Sequence, residues 1–215
     1  MDALAWVFAA VTVAVLVAYE VSLAIAQRRR PDEMARSAHA TLREDWFAAV
    51  SAHPGSEVLA VQTLRNSLMS ATMTASTAVL ALMGTVSLAA PSLHASFSAG
   101  GMGLRFTPRL AMELILLALL FASLVSSVMA VRYFNHAGFV GAMPVGSEAR
   151  RRWFGAGSAY VRKAGILYAW GLRQLILVVP IVAFILYPAA GPVAAVVVAW
   201  VLRGFDRLPR GSAGA

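Results

Sequence analysis

Apolar positions along this chain fall into long blocks, without the short alternating runs of a soluble fold. Three blocks, residues 4–26, 68–90 and 110–131, each reach the roughly 20 residues that carry a helix across about 30 Å of hydrocarbon at 1.5 Å per residue. A fourth, 175–202, holds no charged residue, but it is interrupted by Pro180 and by the run Pro188, Ala189, Ala190, Gly191, Pro192. Two readings of that block compete: one long kinked span, or a hairpin whose two short arms turn at 188–192. The pattern predicts an all-α, polytopic helical membrane protein with three full spans plus this Pro/Gly-broken final segment, in a single transmembrane domain over 1–207. The small and polar stretch 208–215 is expected to be a disordered tail.

Arginines sit between the blocks and orient them. Segment 27–66 holds Arg28, Arg29, Arg30, Arg36, Arg43 and Arg65, and segment 132–173 holds Arg132, Arg150, Arg151, Arg152, Arg162, Lys163 and Arg173. Segment 91–109 holds only Arg105 and Arg109. The positive-inside rule then sets the N-terminus outside, both arginine-rich segments in the cytoplasm, and the Gly/Ser-rich stretch 91–108 outside. The location implied is a cell membrane, the inner one if the cell is bacterial. Arg203, Arg207 and Arg210 return to the cytoplasm only if the final block is a hairpin; charge favours that turn, and the shortness of the arms opposes it. Ala24, Ile25 and Ala26 imitate a signal-cleavage pattern, but Met1 and Asp2 supply no positive leader and Arg28 to Arg30 stop the block, so it reads as a span.

The basic segments carry amphipathic helical patterns of their own. Pro31 stands where a first-turn proline would, with Asp32 and Glu33 behind it, and Met34, Ala38, Leu42, Trp46 and Val50 follow at helical spacing. Arg36, His39 and Arg43 lie off that stripe. Trp153, Gly157, Tyr160 and Ala164 make a comparable stripe opposite Arg150, Arg151 and Arg152. Such helices lie at the headgroup boundary or pack on span ends, and anionic lipid would attract the second by about 1 kcal/mol per basic residue.

Composition agrees with a bilayer as solvent. The chain of 215 residues is 60% hydrophobic and 13% charged, with mean hydropathy +0.72, where soluble domains carry about 25% charged residues. The excess of 18 basic over 10 acidic residues is spread between apolar blocks instead of forming one face, so nucleic acid is not an expected partner. Without cysteine there is no disulfide framework or thiolate site. His39, His53, His94 and His136 are scattered, Gly100, Gly101 and Gly103 lack a phosphate-binding context, and no metalloprotease or P-loop pattern occurs. No cofactor, metal or catalytic residue is expected, and the chain does not read as an enzyme.

Within the spans, small residues mark close helix contacts. Ala10, Ala14, Ala18, Ser22 and Ala26 recur every four residues in the first span; Ser67, Ser70, Thr74, Thr77, Ala81 and Gly84 alternate three and four in the second. Both stripes predict packing within the chain, with a homo-oligomeric seam or a polar pore wall as the other readings. Glu20 and Glu113 fall inside spans, at a cost on the order of 3 kcal/mol unless paired or wet. Glu20 is expected to pair with Arg65, Arg132 or Arg173, or else to hold a proton or cation. Glu113 is expected to reach Arg109, one turn earlier.

Three strings, AVQTLRNSLM at 60–69, VRYFNHAGF at 131–139 and Gly171, Leu172, Arg173, resemble an uncharacterised membrane-protein family of bacteria and plants, domain of unknown function 599. The resemblance extends to Arg43, Trp46, Lys163, Ala164, Gly165 and Asp206, and loosely to Phe184, Gly191 and Pro192. It implies a multi-span helical membrane protein and no activity. Its matched polar residues Arg65, Asn66, Arg132, Asn135, His136 and Arg173 all fall at predicted cytoplasmic span ends. There they either bind an anionic group such as a lipid headgroup, since arginine forks match phosphate oxygens, or lock the helix ends together with Glu20. Two functions follow as alternatives. One is an oligomeric ion or small-solute channel or transporter using Glu20, Ser67, Ser70, Thr74, Thr77 and the broken last segment. The other is a membrane scaffold or anionic-lipid-binding protein built on the Arg/Asn/His cluster.

Overall fold

A computed structural model of the protein describes residues 2–30, 34–98 and 106–206. Among these residues there are six helices and no strand: α1 (Asp2–Arg29), α2 (Ala35–Ala52), α3 (Glu57–Ser98), α4 (Pro108–Ala142), α5 (Glu148–Leu186) and α6 (Ala190–Asp206). Four of them, α1, α3, α4 and α5, are long and apolar enough to cross a membrane. The all-α polytopic architecture therefore stands. Pro31, Asp32 and Glu33, the glycines 100, 101 and 103, Arg105, Arg207, Arg210 and the 208–215 tail lie outside the described residues.

The helices outrun the apolar blocks that announce them. With 42, 35 and 39 residues, α3, α4 and α5 are about 63, 53 and 59 Å long, roughly twice what a 30 Å crossing requires. The last span was expected from 175, yet its helix starts at Glu148 and carries Arg173 inside it. Pro180 does not break it: the proline is buried within α5, where one missing backbone bond is made good by neighbouring turns. Pro91 likewise sits inside α3, so the first part of the expected external loop, through Ser98, is helix. The starts are capped as their sequences demand. Thr107 accepts the Leu110 N–H ahead of Pro108, and Ser147 accepts the Arg150 N–H.

The chain divides into two compact units, Met1–Pro31, Thr77–Ala122 and Arg173–Ala215 forming unit 1, and Asp32–Ser76 and Ser123–Leu172 forming unit 2. Unit 1 packs Leu16 and Tyr19 of α1, Met112 and Leu120 of α4, Ile181 and Phe184 of α5 and Val198 of α6 into one apolar core. Its final block is a hairpin. The helix breaks at 187–189, not across the predicted 188–192, because Gly191 and Pro192 already belong to the first turn of α6, where a missing N–H costs little. Gly191 lies against the end of α5 and against α1, so that a Cβ there would come within 2.8 Å of Phe184 and 2.7 Å of Thr12. Asp206, at the other end of α6, reaches back to Arg173. Unit 2 buries Phe47 of α2 with Leu64 and Ala71 of α3, Phe134 and Ala137 of α4, and Val161 and Ala164 of α5. Within it the Ser123 hydroxyl donates to the Gly171 carbonyl at 2.8 Å, tying α4 to α5.

The strict four-residue stripe of α1 misses the packed face. At 3.6 residues per turn each step of four drifts by about 40°, so a long series of such steps winds off any one face. The buried face of α1 is Ala9, Thr12, Leu16, Tyr19 and Leu23, alternating three and four, while Ala10, Ala14, Ala18 and Ser22 are exposed. The expected α2 stripe holds better: Met34 and Val50 are buried, Ala38 and Trp46 half-buried, and only Leu42, 63% exposed, leaves it, while Ala35, Ala40 and Phe47 complete the buried face. The hydroxyl stripe of α3 straddles the edge of its buried face: Thr74 is buried, Ser67 and Ala81 half-buried, and Ser70, Thr77 and Gly84 exposed.

Candidate functional site

The densest polar arrangement in unit 1 is built around Arg173. Tyr19 belongs to the packed face of α1, Glu20 follows it at the edge of that face, and the α5–α6 hairpin brings Asp206 alongside. Arg173 Nε donates to Glu20 Oε1 at 2.7 Å, Nη1 to Asp206 Oδ1 at 2.9 Å, and Nη2 to Asp206 Oδ2 at 3.0 Å and to the Tyr19 hydroxyl at 2.6 Å. Tyr19 in turn donates its proton to Asp206 Oδ2. A buried guanidinium is tolerable only when its donors meet charged or strongly polar oxygens, and here every nitrogen does.

The two carboxylates are not equivalent. Asp206 grips the guanidinium fork with both oxygens. Glu20 uses only Oε1; its second oxygen has no hydrogen-bond partner among the described residues, and its side chain is 29% exposed. Of the three expected partners for Glu20, Arg173 is the one it has. Glu113 follows its expectation: it is buried and accepts Arg109 Nε at 3.0 Å.

The residues expected of the Arg/Asn/His cluster are divided between the two units. Arg173 is committed to Glu20, Tyr19 and Asp206, while Arg65, Asn66, Arg132, Asn135 and His136 are exposed side chains of unit 2. No side-chain hydrogen bond joins those five among the described residues, and His136 rests against the Tyr160 ring at 5.6 Å. The hydroxyls proposed for a polar wall turn back onto their own helix: Ser67 to the Thr63 carbonyl, Ser70 to Asn66 and Thr74 to Ser70, at 3.0 to 3.2 Å. That arrangement satisfies a hydroxyl in lipid without a neighbour. Thr77 is exposed on the same helix.

Arg150 overturns its expected place opposite the packed stripe of α5. It is 2% exposed, and its Nη1 donates to the Gly141 and Met143 carbonyls at 2.7 and 2.8 Å while Nη2 donates to Ser51 at 2.9 Å. It thus closes the carbonyl end of α4, where a cation also meets the helix dipole favourably. Within the run Arg150, Arg151, Arg152 nothing local marks the buried member. Tyr19 and Asp206 were also missed as site members. The three-four alternation through Ala9, Thr12, Leu16, Tyr19 and Leu23 was the signal for Tyr19. Among the described residues, no group of three acidic or histidine side chains is placed to hold a metal ion.

Four helices long and apolar enough to cross a bilayer, with Glu20, Glu113 and Arg173 held in ion pairs, define a polytopic helical integral membrane protein. The chain belongs to the family described as "Protein of unknown function, DUF599", whose model matches residues 7–210. No curated protein and no solved structure matches the chain.

Proposed function

We propose that the protein moves protons, or a small cation in their place, across the membrane, with Glu20 as the exchanging group. The observation that carries this is the unequal grip on Arg173. Asp206 holds the guanidinium through two N–H bonds and Tyr19 through a third, so Glu20 can let go without orphaning a buried cation. Glu20 is also the more exposed of the two carboxylates, 29% against 20%, and the one with an oxygen not bonded to the guanidinium. A proton arriving there removes its charge and loosens its pair with Arg173; its departure restores both. Ionisable side chains inside spans are rare because depth penalises them, and they commonly mark ion and proton routes. The backbone break at 187–189 adds irregular structure of the kind that builds such routes.

The reading takes the N-terminus outside and the arginine-rich segments in the cytoplasm, with the hairpin returning Arg203 to that side. It also takes a homo-oligomer, because the exposed Ala10, Ala14, Ala18 and Ser22 leave the α1 backbone open to close approach by a second copy. The test is proton uptake into liposomes holding the purified protein and a pH-sensitive dye, under a set potential. Uptake above that of empty liposomes is expected, lowered at least tenfold by Glu20→Gln and partly kept by Glu20→Asp. Folded protein that passes neither protons nor cations would end the transport reading.

A further inference from the structure

A second charged site lies wholly within unit 2 and does not depend on transport through Glu20. Arg43, on α2, bends across the backbone of α5: a Cβ added to Gly165 would stand 2.6 Å from its Cζ, Nε and Nη1. The glycine at 165 leaves the guanidinium room to lie there. One of its five N–H donors is used, Nη1 to the His39 carbonyl at 3.1 Å. Glu44, next in the chain, is engaged by Arg162 at 2.8 Å. Arg43 has no carboxylate partner among the described residues, and burial pushes its pKa below the usual arginine value with nothing opposing that push.

Beside this guanidinium opens a cavity of about 330 Å³, lined among others by Arg43, Trp46, Thr63, Leu64, Ser67 and Phe134. Its wall joins two chemistries. Arg43 with the Thr63 hydroxyl offers donors to an anion; the Thr63 hydroxyl makes no hydrogen bond of its own among the described residues, whereas Ser67 already donates to the Thr63 carbonyl. Trp46, Leu64 and Phe134 offer an apolar lining. The volume sits at the small end of ligand sites, enough for one anionic group and a short apolar portion. A planar guanidinium fork selects carboxylate or phosphate, and a phosphate has an oxygen left over for the Thr63 hydroxyl after the fork has taken two.

We infer that this cavity binds a phosphate group borne on an apolar body, with Arg43 clasping the phosphate and Trp46 and Phe134 flanking the apolar part. A lipid headgroup and a free phosphate share this chemistry, and the test separates them. Full-length protein in neutral detergent is titrated with dihexanoyl phosphatidic acid, dihexanoyl phosphatidylcholine and inorganic phosphate, and adducts are counted by native mass spectrometry. Phosphatidic acid is expected to bind at least tenfold tighter than phosphatidylcholine, and Arg43→Gln to weaken it at least tenfold, with Arg43→Lys between. Inorganic phosphate that binds as tightly as the lipid, and is lost in Arg43→Gln, upholds the phosphate site and assigns it to a free ligand. Equal binding of the two lipids, or the same affinity in Arg43→Gln as in the parent, overturns the inference. Should Arg43→Gln not fold, the Thr63→Val variant decides: a several-fold loss for phosphatidic acid supports the site, and unchanged affinity refutes it.

Discussion

Units 1 and 2 each bury an arginine, and they satisfy it by opposite means. Arg173 of unit 1 meets two carboxylates and a phenol. Arg150 of unit 2 meets two backbone carbonyls and a serine hydroxyl through its Nη1 and Nη2, while its buried Nε has no hydrogen-bond partner among the described residues and its charge is not directly paired. The difference separates two tasks that a list of hydrogen bonds hides. Carbonyls can fill the donor positions of a guanidinium, but only carboxylates cancel its charge, and cancellation is what hydrocarbon demands. Unit 1 couples its cation to acidic groups brought from two other helices, whereas unit 2 uses its cation as a cap on α4.

The comparison breaks most clearly at Arg173. Arg173→Met leaves Glu20 and Asp206 without the cation both are bonded to and is expected to lower stability by about 3–5 kcal/mol, read by reversible unfolding in mixed micelles. A loss below about 1 kcal/mol would mean that the network is a surface decoration. Arg150→Met removes donors only and is expected to cost about 2–3 kcal/mol, with faster amide exchange concentrated at the C-terminal turn of α4. Within unit 1, Asp206→Asn should cost about 2 kcal/mol and Glu20→Gln about 1 kcal/mol or less, since the first loses a two-pronged bond and the second a single, half-exposed one. Equal losses would remove the asymmetry on which the role of Glu20 rests. The smallest effect belongs to Arg162→Ala, whose partner Glu44 is also partly exposed; the same unfolding assay should move by no more than about 0.5 kcal/mol.

How far the sequence could be read follows from the same physics. Helical class and three of the four span-length helices were legible because about 20 apolar residues in a row have few other homes. The hairpin was legible as one of two readings, since Pro188 and its neighbours mark a break but do not say which way the chain leaves it. The extent of α5 was not legible, because a charge such as Arg173 reads as a span end until its partners are known, and Asp206 is 33 residues away. The packed face was lost at the strict four-residue series Ala10 to Ala26; of the series Met34 to Val50 only Leu42 is exposed, and the alternating series Ser67 to Gly84 was kept only in part, at Ser67, Thr74 and Ala81. Chemical type misled at Arg150, since three consecutive arginines look alike and only the fold selects the one that caps α4. The pairing of Glu113 with Arg109 was legible because both lie on one helix, one turn apart.

The hairpin also sets an order of events during synthesis. Tyr19, Glu20 and Arg173 are all made before Asp206, so α5 must enter the membrane with its guanidinium held by one carboxylate and a phenol. The two-pronged bond closes only when α6 has folded back along α5. α6 therefore works as a clasp, fastened after the helices that it holds. Chains halted between 187 and 205 would leave Arg173 without its two-pronged partner.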